Sequence, residues 1–515
     1  MSLPPSSLAA PDLDVLLITA DQLRGDCLGY AGHPHVRTPH LDALAAEATA
    51  FLAHYGQAAP CGPARAALYT GLYQMRNRVV ANGAPLDARH DTVAKLALRR
   101  GYRPTLFGYT DQSEDPAGLA PADPRLHSYE GVLPGFVPRL AMPEDAGAWR
   151  AALLAKGYAP AADIRTVHLP RDGRTDPPTG APTVYPAEDA ETAFVADAYL
   201  RWLDEIPPAA PYFAHVSFLR PHPPLIAPEP YASLHDPEEG GPFVGRGSLE
   251  AEAALHPFLA WHLPRIGKGS LVAGAHGPIA DWGERERRVL RATYWGLVAE
   301  VDAAIGRIVA ELKRRGRFER TLIVFTADHG EMLGDHHAFG KFGFFDAAFH
   351  VPLIVRDPRR PAGHGRRVAA FTEAVDVMPT IADALGEALP GADGRALGPF
   401  LAGETPQSWR DAVHWEYDFR TLEEPQAPLG LDRDACSLAV RRERDWKYVH
   451  FTGLPPLLFD LAGDPHETID RAGDPACAAT RLRMAEALLS WRARHLERRY
   501  TGMLLSERGP IGAPR

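Results

Sequence analysis

Two stretches of this chain share one design. Asp14-Val-Leu-Leu-Ile-Thr-Ala-Asp21 and Thr321-Leu-Ile-Val-Phe-Thr-Ala-Asp328 are short apolar runs, and each ends in an acid. A run of that length without polar alternation is covered on both faces, as in a central strand of a parallel sheet. Parallel strands need crossover connections, so helices must flank the sheet. The two carboxylates then fall at strand C-termini, the edge of an open α/β sheet where ligands bind. Asp21 and Asp328 are therefore metal-ligand candidates, with Gln22 and His329 directly behind them. The alternative for either acid is an ordinary turn or cap residue.

The rest of the pattern extends this α/β reading. Arg103 to Tyr109 and Tyr212 to Phe218 read as two further buried strands, the first exiting through Tyr109, Thr110 and Asp111. The second delivers Arg220-Pro221-His222-Pro223-Pro224, whose prolines stiffen the loop and present His222 instead of burying it. Helices are expected from Thr38 to Ala48, Ala190 to Glu205 and Glu284 to Arg315, the last carrying Leu290, Leu297, Val301, Ile305, Ile308 and Leu312 at helical spacing. Asp115 to Pro186 has no sustained period and reads as a long excursion over the site. Glu331 to Lys341 holds an unusual density of titratable groups, with Asp335, His336, His337 and Lys341, before Val351 to Val355 returns to the sheet.

From about Asp411 the texture changes. Val413 to Tyr417, Ser437 to Arg441, Lys447 to Phe451 and Leu457 to Leu461 are short strands joined by brief turns, which predicts a small antiparallel sheet. A helix from Ala476 to Arg499 and a tail from Thr501 to Arg515 close the chain. The expected fold is α/β: a large doubly wound mixed sheet flanked by helices, over residues 1–410, with a C-terminal subdomain over 411–515.

Between the first two strands, after a short strand or loop, lies Cys61-Gly62-Pro63-Ala64-Arg65, running into Ala66-Ala67-Leu68-Tyr69-Thr70-Gly71. Proline suits the first turn of a helix, so the cysteine would sit beside backbone N–H groups that stabilise anions. Arg65 adds a fixed positive fork. The alternative for Cys61 is an ordinary small buried hydrophobe before a helix.

Composition narrows the function classes. A net charge of −10 disfavours a nucleic-acid partner. The 49 prolines and 46 glycines imply many ordered loops, which favours an enzyme over a scaffold. Four scattered cysteines fit neither a disulfide framework nor a paired-cysteine zinc site, so a reducing compartment is expected. Residues 1–11 lack the basic and apolar regions of an export signal, and no run approaches the ~20 apolar residues of a membrane span. The expectation is a soluble, cytoplasmic protein with no membrane partner.

Cys-x-Pro-x-Arg is also the pattern at which sulfatases and phosphonate monoester hydrolases have their cysteine oxidised to formylglycine by a formylglycine-generating enzyme. Together with the Asp21 strand and Asp328-His329-Gly330, it makes the chain resemble the formylglycine hydrolases of the alkaline phosphatase superfamily over essentially its whole length. Asp21-Gln22, Cys61 to Gly71, Asn82 before Pro85-Leu86-Asp87, and Arg220-Pro-His222-Pro-Pro resemble the phosphonate monoester hydrolase branch in particular. Arylsulfatases instead carry Asp-Asp and Asp-Asn at the two strand ends, an oxygen-only set suited to calcium. An imidazole in the ring shifts preference toward transition metals, so manganese is favoured, then zinc, with calcium as the remaining option.

The resemblance implies one divalent metal held by Asp21, Gln22, residue 61, Asp328 and His329. It implies a gem-diol at residue 61 that attacks phosphorus or sulfur, and a hemiacetal ester that then breaks without water attacking phosphorus. Arg65 would hold the diol, His222 and Lys341 would serve the leaving group, and Asn82 and Tyr109 would line the pocket. Asp111 departs from the threonine usual at that place. It would reject a dianion, select monoanionic diesters or sulfates, or bind a cationic part of the substrate, and the sequence leaves these open. The implied function is hydrolysis of phosphonate monoesters and phosphodiesters with promiscuity toward sulfate esters; arylsulfatase as the primary activity is the alternative. A catalytically dead anion binder, or a metal phosphatase with unmodified Cys61, are the readings from other classes. The resemblance also implies a small anionic ester as substrate and a homotetramer built from dimers.

Overall fold

The two apolar runs lie side by side at the centre of an eight-stranded sheet. Asp14–Ala20 and Thr321–Thr326 are parallel and in register, with Ile18 opposite Phe325. The computed structural model describes residues 12–420, 428–497 and 499–512. Beyond Asp14–Ala20 follow Phe213–Phe218, Pro104–Gly108 and, at that edge, Val137–Ala141, all parallel. In the other direction follow Leu353–Arg356, Thr49–Phe51 and Arg367–Val368. Of the eight, Leu353–Arg356 runs antiparallel to its neighbours, which makes the sheet mixed, as expected.

The lack of polar alternation has the anticipated cause. Leu16, Ile18, Ile323 and Phe325 pack on one face against Leu290, Leu297, Val301 and Ile305 of the Glu284–Arg314 helix. Val15, Leu17, Leu322 and Val324 pack on the other, with Ala66 and Leu68 of the Cys61–Thr70 helix and with the Val93–Arg99 and Val377–Ala384 helices. Each such side chain contributes about 1.5–3 kcal/mol when fully buried, so both faces of the central strands hold the sheet in place.

Ala412–Asp418, Ser437–Glu443, Trp446–Phe451 and Leu457–Asp460 form the small antiparallel sheet. The short strand or loop expected before Cys61 proves to be a fifth strand of this sheet, Ala58–Ala59, parallel to Ala412–Asp418. That pair stands immediately before Cys61, so the second sheet anchors the start of the Cys61–Thr70 helix. The helix ends at Gly71, whose φ of 67° suits glycine and whose N–H closes on Ala67 O.

Three expectations need correction. The Asp115 to Pro186 excursion carries regular structure: an edge strand and helices at Gly147–Ala155 and Ile164–Val167. The strand escapes periodicity because Pro138 and Arg139 stand in an exposed edge, where neither a donor nor an apolar face is required. The last helix spans Ala478–His495, not Ala476 to Arg499, because Pro475 opens a separate tight turn over Pro475–Cys477. The tail is an antiparallel hairpin, Met503–Ser506 with Gly509–Gly512. Residues 1–11, 498 and 513–515, which the expectations for both termini include, lie outside the described residues.

Candidate active site

Four adjacent parallel strands, Thr321–Thr326, Asp14–Ala20, Phe213–Phe218 and Pro104–Gly108, end on the same edge. Their exits carry Asp328 and His329, Asp21 and Gln22, Arg220 and His222, and Tyr109 and Asp111. The Cys61–Thr70 helix begins against this edge. Gly108 permits the tight turn into Tyr109: its φ is 112°, and a Cβ there would lie 2.1 Å from Ser217 O.

Arg65 is fully buried and organises the floor. Its Nε donates to Asp328 Oδ2 at 2.9 Å, one terminal nitrogen to Asp21 Oδ2 at 3.1 Å, and the other to Ser217 Oγ at 2.9 Å. The guanidinium also lies over the Tyr109 ring, 4.3 Å from its centroid. Tyr109 OH donates to Asp21 Oδ2 at 2.5 Å. The Cys61 Sγ stands 3.2 Å from His329 Nε2, 3.7 Å from Asp21 Oδ1 and 3.0 Å from Lys341 Nζ. The first turn of its helix is used differently from a free anion cradle, because Gly62 N–H donates to Asn82 Oδ1 at 2.9 Å.

Lys341 Nζ also donates to Gln22 Oε1 at 3.0 Å, and Gln22 Nε2 donates to Glu331. The Gln22 side chain is thus committed to Lys341 and Glu331. Glu331 Oε1 accepts from Leu333 and Gly340 N–H, which ties down the loop that presents Lys341. His222 is half-buried, a correction to the expectation that it stands clear of the protein. Its Nδ1 donates to Pro223 O at 2.6 Å, which leaves Nε2 as the nitrogen free to work.

Burial decides most of the charge states. Burial and the nearby Lys341 hold both His222 and His329 at about 3, so both imidazoles are neutral at ordinary pH. His329 Nδ1 points to Gly330 O at 3.1 Å, so its Nε2 lone pair faces Asp21 and Cys61. Burial and Asp21 push Asp328 up to about 7, whereas His222, Lys341 and Arg65 overcome burial and hold Asp21 well below the carboxylate range. Burial also opposes charge on Lys341, but Cys61, Asp21 and Asp328 together keep its pKa above the usual lysine value. Arg65 and Lys341 together offset the two carboxylates.

The donor set fits a divalent cation. Ligand atoms of Asp21, Cys61, Asp328 and His329 lie within 4.8 Å of one another, all buried, and they offer oxygen, sulfur and neutral nitrogen. This centre opens into a cavity of about 520 Å³ that is also bordered by Asn82, Tyr109, Asp111, His222 and Lys341. Each catalytic, metal-ligand and substrate-binding candidate from the sequence therefore lies in or against one site, with Arg65 and the buried Gln22 behind its surface; Asp335, His336 and His337 do not, being paired with Arg24 and Arg291, Glu252 and Arg287. Sequence reasoning passed over Ser217, Glu331, Glu130, Glu144 and His168. Ser217 was visible as the one hydroxyl late in an apolar strand, and Glu331 as the acid two residues after His329. Glu130 and Glu144 carry no such signal.

The Sulfatase family model matches residues 14–387, and a model described as N-sulphoglucosamine sulphohydrolase, C-terminal, matches 334–494. A curated relative, the multifunctional alkaline phosphatase superfamily protein PehA of Trinickia caryophylli, is 39% identical over 505 residues, covering 96% of this chain and 98% of that protein. Among solved structures, the phosphonate monoester hydrolase of Agrobacterium radiobacter superposes with a TM-score of 0.93 at 49% identity, over 98% of this chain and 100% of that one. The phosphonate monoester hydrolase of Silicibacter pomeroyi gives 0.90 at 39% identity, over 98% and 99%. With its strand-end acids, its Cys-x-Pro-x-Arg helix and a family match along most of its length, this chain belongs to the sulfatase family of hydrolases.

Proposed function

We propose that this protein is a divalent-metal hydrolase of phosphonate monoesters and phosphodiesters that also accepts sulfate esters, using a formylglycine made from Cys61. The observation that carries this reading is the convergence of Cys61 with Asp21, Asp328 and His329 within 4.8 Å, in a chain 49% identical to a phosphonate monoester hydrolase. When present, the metal would supply Lewis acidity and the hydrated aldehyde of residue 61 the attacking hydroxyl.

The chain's own residues do the rest. Arg65 fixes both carboxylates and Tyr109, so the floor is organised before substrate arrives. Lys341 balances negative charge beside residue 61. His222 offers Nε2 on the cavity wall; a bound anion favours its protonated form, which can then protonate a leaving oxygen. Asn82 is oriented by Gly62 N–H and Tyr109 by Arg65, and both shape the pocket.

The imidazole in the donor set supports manganese first, zinc second and calcium last. Gln22 becomes a ligand only by exchanging its bond to Lys341, so we rank it below the other four. We further propose maturation by a formylglycine-generating enzyme, a cytoplasmic location, a division of the chain at 410/411, and a homotetramer in which the exposed Leu504 and Leu505 of the C-terminal hairpin pack on a neighbour. Among the described residues no helix is long and apolar enough to cross a membrane.

A panel of aryl phosphonate, phosphodiester, phosphate monoester and sulfate substrates tests the reading. Turnover of the phosphonate and diester is expected, and no turnover of any member refutes it. The arylsulfatase reading retains the support of the family model, and a sulfate kcat/KM above all others would select it.

A further inference from the structure

The cavity in front of the reaction centre is lined by charges of both signs. Lys341 and the metal-ligand cluster border it. So do three carboxylates, Asp111, Glu130 and Glu144, with Tyr129, and Asp111 lies near enough to Arg65, Asp21 and Lys341 to feel their charge. Among the described residues no ion pair joins any of the three to an arginine or lysine, although ion pairs are abundant elsewhere on the molecule. Asp111 is 5% exposed, and its Oδ1 is buried without a hydrogen-bond partner. A buried carboxylate oxygen left so costs free energy unless something outside the protein satisfies it.

The wall is also built, not incidental. Thr110 Oγ1 donates to Gly131 O at 2.9 Å, Gln112 N–H to the same oxygen at 3.3 Å, and Ser113 Oγ to Tyr129 O at 3.0 Å. These bonds lash the Tyr129–Gly131 segment to the segment carrying Asp111. Tyr129 OH donates to Glu144 Oε2 at 2.6 Å, and Glu144 N–H donates to Glu130. The backbone at Asp111 has a φ of 50°, a conformation that strains a β-branched residue more than aspartate. Burial raises both Asp111 and Glu130 to about 7, and Asp111 and Glu144 raise Glu130 further, a state that a cation would relieve.

We propose that the preferred substrate is a zwitterionic ester, whose anionic phosphoryl or sulfuryl group meets Lys341 and the metal cluster while an ammonium-type cation on one substituent docks against Asp111, Glu130, Glu144 and the face of Tyr129. An acid serving only to reject dianions would need neither the second and third carboxylates nor the aromatic ring, which is the standard partner of alkylammonium groups. The proposal rests on the hydrolase reading above and assigns the substrate class within it.

The test uses the full-length, metal-loaded protein and two diesters that differ in one charge: zwitterionic p-nitrophenyl phosphorylcholine and p-nitrophenyl 3,3-dimethylbutyl phosphate, in which a tert-butyl group replaces the trimethylammonium. The zwitterionic diester is expected to have a kcat/KM at least about tenfold higher, ~1.4 kcal/mol. In the Asp111→Asn, Glu130→Gln double variant, which keeps size and backbone tolerance, the ratio should fall to within about twofold. A ratio between two substrates is insensitive to how much protein is folded, so a merely structural role for these residues would leave it unchanged. Equal or reversed preference in the wild type, or a preference that survives in the double variant, overturns the proposal alone. If an aryl phosphonate monoester is also not turned over, the hydrolase reading falls and the proposal with it.

Discussion

Replacing Arg65 with methionine removes the charge at the centre of the site while keeping most of the apolar volume. The side chain is 0% exposed, and it links Asp21, Asp328, Tyr109 and Ser217. Removing one partner of a buried ion pair costs about 3–5 kcal/mol, because the remaining charge is left uncompensated. Here two carboxylates are left, but protonation of Asp328, already pushed up to about 7, relieves part of the second. We therefore expect a loss of about 3–5 kcal/mol at neutral pH in the presence of a chelator, a fifth or more of the stability of a typical domain. A divalent cation on the same carboxylates replaces the missing charge, so the loss should shrink when manganese is saturating. Urea denaturation of wild type and Arg65→Met, each with chelator and with manganese, measures both quantities. A loss under about 1 kcal/mol with chelator would show that Arg65 does not neutralise the pair. An equal loss in both conditions would show that the carboxylates and the metal are not shared.

Three further outcomes follow from the geometry. Cys61→Ala should abolish phosphonate, diester and sulfate turnover together, and intact mass of active wild type should fall about 18 Da below the unmodified chain if residue 61 is formylglycine; an active protein of unchanged mass contradicts this. An Asp21→Ala, Asp328→Ala double variant should lose bound metal by elemental analysis, since it removes two of the four clustered donors; undiminished retention contradicts the assignment. Glu300 sits fully buried in the Glu284–Arg314 helix, and burial raises it to about 7 against the pull of Arg220 and of a weak bond to Thr192. Because its folded pKa is raised, it costs stability as pH climbs from about 4.5 to about 7 and nothing more beyond. Glu300→Gln should therefore gain about 3 kcal/mol over wild type near pH 8 and about nothing near pH 4, and a gap independent of pH refutes the argument.

The chemistry of this site was more legible in the sequence than its substrate, for a physical reason. Asp21, Asp328 and His329 each follow an apolar run, and a doubly wound sheet sends the ends of parallel strands to one edge whatever the details of packing. Strand periodicity therefore located them, and the Cys-x-Pro-x-Arg helix added residue 61. Two residues have no period, so Ala58–Ala59 reads only as a short strand or loop, and Val137–Ala141 is missed because an exposed edge tolerates Pro138 and Arg139. The acidic wall is a different case. Glu130 and Glu144 lie in an excursion without period, and they reach Asp111 only because Thr110, Gln112 and Ser113 happen to bond the carbonyls of Tyr129 and Gly131. Those are side-chain and loop bonds that any local sequence could make elsewhere, so no spacing rule predicts them. A family resemblance does not supply them either, since it carries over residues that share a motif, and Asp111 is where this chain departs from it. Chemistry held on strand ends can thus be read one residue at a time, whereas the acidic wall of the pocket, which chooses among esters, requires the folded loops.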